Sequence, residues 1–424
     1  MGLSPVPPTA SPASPASLAS PAASHRHLNG RRVADPDGYL PGEAVPGEVV
    51  VYFAEDPRRV YQLRQWLPVL ERLDGRHGVT LLLTHRDTYA LVRAQTSLRC
   101  VLVPTWPDLA DVFEASGFKV AIYVNNSVRN FQMLAARSML HVHVNHGESD
   151  KACMVSNQVK AYDRVFVAGE AAVRRHRAAL IEFDERALVR VGRPQLDLRP
   201  EPVLAPTSRR TILYAPTWEG ENASNDYTSV ALYGPAIVRA ALAVPDVRVV
   251  YKPHPRVASS PTAQIAAAHG EIRSLLGTAD TDGNVDATGT DILAVFPGCD
   301  LMITDVSSVG LDFLYLHTDR PVFVCDRHGD RERLLADAPV GRAADVVDAS
   351  TIGVLTHLLA RRLAVDVHRR AREALRTHYF GDLAPGESTA RFLAAVTDTI
   401  ADRDRALACR AVGDPGDLPV VAGV

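Results

Sequence analysis

From Glu48 onward the chain repeats one pattern, a short run of β-branched and apolar residues followed by a longer stretch with apolar residues at helical spacing. EVVVYFAED, VTLLLTH, RCVLVPT, VAIYVNN, LHVHVNHG, RVFVAG and LVRVGRP are such runs, and their near-continuous apolar character is that of parallel strands buried on both faces. Residues 57–73 and 107–117 have the length and apolar spacing of crossover helices, so the segment reads as a doubly wound α/β domain. A polar, proline-bearing stretch, RPEPVLAPTSRR, then reads as a linker. Beyond it RTILYAPTW, VRVVYKPHPR, DLMITDVSS and PVFVCD start a second series, each followed by a polar loop and a helical stretch.

At 424 residues the chain is too long for one compact core. The expected architecture is two Rossmann-like α/β domains facing across a cleft, over residues 47–200 and 209–385, closed by a C-terminal helix over 386–411 and followed by a tail over 412–424. Residues 1–46 repeat Pro, Ala and Ser and then turn polar, with almost no large apolar side chain to bury, and are expected to be a disordered extension.

Formal charge is −3, from 46 basic and 49 acidic residues, which lacks the electrostatic footprint of a nucleic-acid binder; no nucleic-acid partner is expected. The five cysteines are dispersed and never spaced Cys-x-x-Cys, which argues against a disulfide framework or structural zinc and points to a reducing compartment. No apolar run reaches the roughly 18 to 20 residues of a membrane span, and the opening MGLSPVPPTASP lacks the order of a signal peptide. A cytoplasmic location, at most peripheral to a membrane, is expected.

In doubly wound sheets the ligand lies beyond the carboxyl ends of the strands, so function belongs in the loops there. The first loop is His146-Gly147-Glu148-Ser149-Asp150-Lys151. An imidazole at a strand's end is well placed to take a proton at neutral pH; the alternative is a turn histidine that only bonds backbone. His141, His143 and His146 also raise a metal site, but the first two would share a strand face while the third lies in the turn beyond, so the three need not converge. In the second loop, YAPTWEG, Pro216 frees the backbone from sheet pairing and Thr217 offers a hydroxyl to a phosphate or base.

In the third loop, Lys252-Pro253-His254-Pro255, prolines restrict the backbone so that the cations hold a fixed aim, which suits an anionic ligand; a turn with surface charges would look similar. The fourth runs from Thr304 and Asp305 through Ser307 and Ser308 into LDFLYL, a helix start that can serve an anion or be an ordinary N-cap. Neither Gly-x-Gly-x-x-Gly nor a P-loop occurs. The acidic stretch over residues 280–286 places its glycine fourth rather than sixth for a calcium loop and reads as a plain loop. Only Lys119, Lys151, Lys160 and Lys252 among the 46 basic residues are lysines, and two of these four sit in the histidine-bearing loops, where a compact ammonium suits better than a guanidinium fork.

Taken in order, HGESDK, YAPTW, KPHP and TDVSSVGLD resemble the signature series of the CDP-glycerol glycerophosphotransferases, the teichoic-acid polymerase and primase family, over residues 140–325. Gly386-Glu387-Ser388-Thr389-Ala390-Arg391 is similar to that family's closing Gly-x-x-Ser/Ala-x-Arg element. The resemblance implies a GT-B fold, a CDP-glycerol or CDP-polyol donor, a lipid-linked or glycan acceptor, CMP as leaving group, and work at the cytoplasmic membrane face in cell-envelope polymer synthesis. It implies His146 and His254 as the catalytic histidines. Pro216, Thr217, Lys252, Pro253, Ser307, Ser308 and Asp312 then match positions that hold the donor, with Asp305 in the same motif. Gly147, Glu148, Ser149, Asp150 and Lys151 fall in the first ligand loop, and Arg391 in the closing element.

There are departures. Glu148, Ser149 and Asp150 stand where the family commonly reads Thr-Pro-Leu, Lys252 replaces an arginine, Val306 a tyrosine, and Gly192-Arg193-Pro194-Gln195 stands for Gly-x-Pro-Arg, so that Arg193 would have to reach the donor phosphate instead. No Asp-x-Asp pair suited to a bridging Mg²⁺ was identified, so transfer without a metal or other cofactor is expected. The competing expectations are a GT-B glycosyltransferase or nucleotide-sugar epimerase acting on a UDP-sugar, and a non-catalytic nucleotide-binding scaffold.

Overall fold

The computed structural model describes residues 43–278 and 283–412. The expected disordered extension up to residue 42, the tail beyond 412 and residues 280–282 of the acidic stretch lie outside the described residues.

Two parallel sheets form. In the first, β1 (Val49–Phe53), β2 (Val79–Leu83), β3 (Arg99–Leu102), β4 (Val120–Tyr123), β5 (Leu140–His143), β6 (Arg164–Val167) and β7 (Leu188–Arg190) lie in the order β3-β2-β1-β4-β5-β6-β7. In the second, β8 (Arg210–Ala215), β9 (Val247–Tyr251), β10 (Val285–Asp286), β11 (Leu301–Thr304), β12 (Val322–Cys325) and β13 (Asp345–Val347) lie in the order β10-β9-β8-β11-β12-β13. The apolar runs account for the core strands. Every residue of β1, β2 and β9 is buried, and successive side chains feed opposite faces: Val49, Val51 and Phe53 enter one core cluster, Val50 and Tyr52 another. The two-residue β10 and three-residue β13 lie at the sheet edges and were not among the runs read as strands.

Both sheets reverse strand order once, between β1 and β4 and between β8 and β11, and such switch points open a crevice for ligand at the strand ends. The stretch 57–73 is not one helix. It divides into a turn at Pro57–Arg59, a single helical turn Tyr61–Arg64 and the helix Leu67–His77, because Pro68 fits the first turn of a helix but not its interior. That break places Tyr61 and Gln65 at the mouth of the crevice.

The C-terminal helix Glu387–Val412 crosses back to the first domain. Its Phe392, Leu393, Val396 and Ile400 are buried in that domain's core, and the Phe392 ring lies 5.2 Å from Trp66 and 6.0 Å from Phe166. The two domains are therefore tied at one side by this helix and open toward each other on the other.

Candidate active site

A cleft of about 570 Å³ lies between the domains, lined from the first by Tyr61, His146 and Lys151 and from the second by Thr217, Lys252 and His254. All four predicted loops reach it. Eleven of the predicted site residues line it: His146, Gly147, Ser149, Lys151, Pro216, Thr217, Lys252, Pro253, His254, Ser307 and Ser308.

His146 stands three residues beyond β5, after Asn145, whose φ of 54° is left-handed backbone that asparagine tolerates. That turn is fixed on both sides. Trp66 donates from Nε1 to the Asn145 carbonyl at 2.7 Å, and the Asn145 side chain accepts from the His146 amide at 2.8 Å. Burial, then the cations Arg193 and Lys151, push the His146 imidazole down to about 4, so it is a neutral base at pH 7. Gly147 follows because Ser308 of the other domain comes so close that a Cβ there would sit 2.9 Å from the Ser308 Cβ.

On the facing domain, His254 donates its backbone N–H to the Pro216 carbonyl at 2.9 Å, and its Nδ1 accepts from the Arg256 amide at 3.2 Å, so the neutral ring carries its proton on Nε2. Burial, reinforced by Lys151 and Lys252, holds this imidazole well below its usual range. The Lys252 ammonium, buried beside it, is lowered to about 8, with Asp291 opposing the shift. Thr217 and Asp305, which follow β8 and β11 at the switch point, are joined by the Thr217 amide donating to the Asp305 carboxylate at 2.8 Å. Burial raises that carboxyl to about 6. Ser307 caps the helix Ser308–Leu316, its hydroxyl accepting from Gly310.

Polar contacts cross the cleft. Lys151 donates from Nζ to the Thr217 hydroxyl at 2.9 Å, and Arg59 of the first domain meets Glu221 of the second at 3.2 Å. Tyr61 extends from the first domain with its ring edge-on to both histidines, 6.0 Å from His146 and 5.2 Å from His254. Beyond His254 the Trp218 ring stacks at 5.9 Å, and the Arg256 guanidinium covers that ring at 3.7 Å. Tyr61, Trp218 and Arg256 were not read from the sequence as site residues.

Six predicted residues lie elsewhere. Arg193 and Asp312 form a buried ion pair behind the cleft, with two hydrogen bonds of 3.1 Å, joining the domains. Glu148 and Asp150 turn inward to Arg175, and Asp305 lies behind Thr217. Arg391 is half-exposed on the C-terminal helix and pairs with Glu387; from its element it is Ser388 that reaches inward, accepting from the Arg193 amide at 3.1 Å. His141 bonds Tyr123 and the Ala136 carbonyl, and the buried His143 ring stacks on Tyr162. Among the described residues no group of three His, Cys, Asp or Glu side chains is placed to hold a metal ion. No helix among them is long and apolar enough to cross a membrane.

A crevice at two facing switch points, with the neutral His146 imidazole on one wall and the buried Lys252 ammonium on the other, has the chemistry to accept an anionic ligand and to offer a base beside it. The class it defines is a two-domain transferase of GT-B type. Residues 121–328 match the family model described as CDP-Glycerol:Poly(glycerophosphate) glycerophosphotransferase, the family that the four loop motifs resemble. No curated protein matches the chain.

Solved structures agree on the fold. The wall teichoic acid polymerase TagF is 13% identical, with 84% of this chain and 90% of that chain covered at a TM-score of 0.54. MnaA of S. aureus with UDP is 14% identical, covering 81% and 94% at 0.52, and a glycosyltransferase from Rickettsia africae is 10% identical, covering 83% and 98% at 0.50.

Proposed function

We propose that the protein transfers glycerol phosphate, or a related polyol phosphate, from a CDP-activated donor to an acceptor hydroxyl in cell-envelope polymer synthesis. The acceptor oxygen attacks the phosphorus that carries the polyol, its proton passes to His146, and the bond from that phosphorus to CMP breaks. A positioned base of this kind contributes roughly 100- to 10,000-fold in rate. Lys252 and the Nε2–H of His254 face the charge that grows on the departing phosphate, and the backbone amides that open the helix Ser308–Leu316 hold it further.

The observation that carries this reading is the placing of His146 and His254 on opposite walls with Tyr61 against both. Bringing a diphosphate between them would raise both imidazoles from their lowered state, which strengthens His146 as a base when donor is bound. A lipid-linked or glycan acceptor, and peripheral association with the inner membrane face where such an acceptor lies, belong to the same proposal.

Product analysis tests it. CMP released from CDP-glycerol only when acceptor is supplied supports the reading. Release of UDP, or epimerisation of a UDP-sugar, with no CMP from any CDP-polyol, would keep the fold and overturn the substrate.

A further inference from the structure

The loop His146–Lys151 alternates. Gly147, Ser149 and Lys151 line the cleft, while Glu148 and Asp150, the acidic residues that set this chain apart from the family's usual wording, point to its back. There both meet one side chain. Arg175, on the helix Glu170–Ala179, donates from Nη1 to Glu148 at 2.6 Å and from Nη2 to Asp150 at 3.1 Å, and all three are buried or nearly so. Asp150 also accepts from the Tyr379 hydroxyl. A planar guanidinium bound through two nitrogens to two neighbouring carboxylates fixes direction as well as distance.

His146 does not depend on this clamp, since Asn145, Trp66 and the Arg193 nitrogen that donates to its carbonyl at 3.4 Å hold it from the other side. Lys151 does. It follows Asp150 directly, and its ammonium must span the cleft to reach Thr217 at 2.9 Å. We infer that Arg175 is a positioning residue for the transfer, gripping Glu148 and Asp150 so that the Lys151 ammonium is aimed at the donor's phosphates. The inference rests on the proposed function, because it supplies the anion that Lys151 meets.

Misplacement of a catalytic group by an ångström can cost about a hundredfold, so a softened grip should cost about tenfold. Arg175→Lys keeps the buried charge and is chosen to preserve the fold, but one ammonium cannot serve both carboxylates in the same plane. The experiment compares acceptor-dependent CMP release by the full chain, its Arg175→Lys and Lys151→Ala variants, and the double variant, with thermal unfolding of each. Arg175→Lys is expected to lower kcat/KM for CDP-glycerol about tenfold and to cost nothing further when Lys151 is already alanine.

Turnover unchanged in Arg175→Lys overturns the inference. So does a tenfold loss that persists undiminished in the Lys151→Ala background, since that loss would be structural. Should Arg175→Lys unfold, Asp150→Asn, which keeps the shape, carries the same comparison with Lys151→Ala. Absence of CMP release by the unsubstituted protein would instead strike at the substrate assignment and take the inference with it.

Discussion

Gly147 and Ser308 approach so closely across the cleft that a single added methyl on Gly147 would lie 2.9 Å from the Ser308 Cβ and 3.2 Å from its hydroxyl oxygen. The contact joins the loop that carries the candidate base to the helix start at Ser307 and Ser308, which lines the facing wall of the cleft. Gly147→Ala must therefore push the walls apart or turn His146 aside. It should lower kcat/KM by about tenfold or more, given how steeply rate depends on alignment. Adding Ser308→Gly removes the obstructing carbon and should recover part of the loss. Steady-state CMP release by the two variants checks this, and equal activity of Gly147→Ala and the unsubstituted protein would refute it.

The lowered imidazole of His146 has a consequence for pH dependence. It is protonated, and so unable to act as base, only below about 4 in the free protein, where an ordinary histidine would lose its base function near 6.5. The acid limb of kcat/KM should lie well below pH 6. The limb of kcat itself should stand higher, because bound diphosphate stabilises the imidazolium. Rate profiles between pH 4 and 8 decide the matter, and coincident limbs near 6.5 would contradict it.

Lys252 gives the opposite limb. Burial lowers its ammonium to about 8, so it is charged below that pH and loses its charge above it. KM for the donor should rise as pH passes through about 8, by roughly tenfold if one charge-assisted hydrogen bond is lost. Lys252→Arg should abolish the rise, because a guanidinium does not titrate there. A donor KM flat to pH 9.5 would separate Lys252 from the phosphates.

Arg193 and Asp312 join the domains through a pair whose side chains are 6% and 3% exposed. Removing one partner strands the other as a buried charge, so Arg193→Met should destabilise by about 3 to 5 kcal/mol, as breaking a buried pair generally does. Arg193→Met with Asp312→Leu leaves no stranded charge and should be distinctly more stable than the single variant. Denaturant titration measures both.

Chelation addresses the metal question. With the Lys151 and Lys252 ammonium groups lining the cleft to neutralise the expected phosphates, transfer should persist in EDTA. Activity that vanishes on chelation and returns with Mg²⁺ would refute this.

Much of the fold was legible because strands buried on both faces must be apolar throughout, as VVVYF and VTLLL are. The edge strands at Val285–Asp286 and Asp345–Val347 were not, being too short to show a pattern. The four loops could be found because proline, glycine and serine mark strand ends and helix starts. Which way their side chains turn could not: nothing in HGESDK says that Glu148 and Asp150 face inward, since their partner Arg175 lies on a helix whose arginines look like solvated charge. Tyr61 escaped for a similar reason, since its place beside both histidines comes from the break near Pro68 and from domain closure, neither of which is local to its own segment.

The most direct test of the central claim is acceptor-dependent CMP release from CDP-glycerol by the unsubstituted protein beside His146→Ala and His254→Ala. The account predicts release that requires acceptor and falls by roughly 100- to 10,000-fold without the His146 imidazole, with the donor KM changing far less than kcat. It predicts a comparable collapse in His254→Ala. Undiminished CMP release from His146→Ala would contradict it.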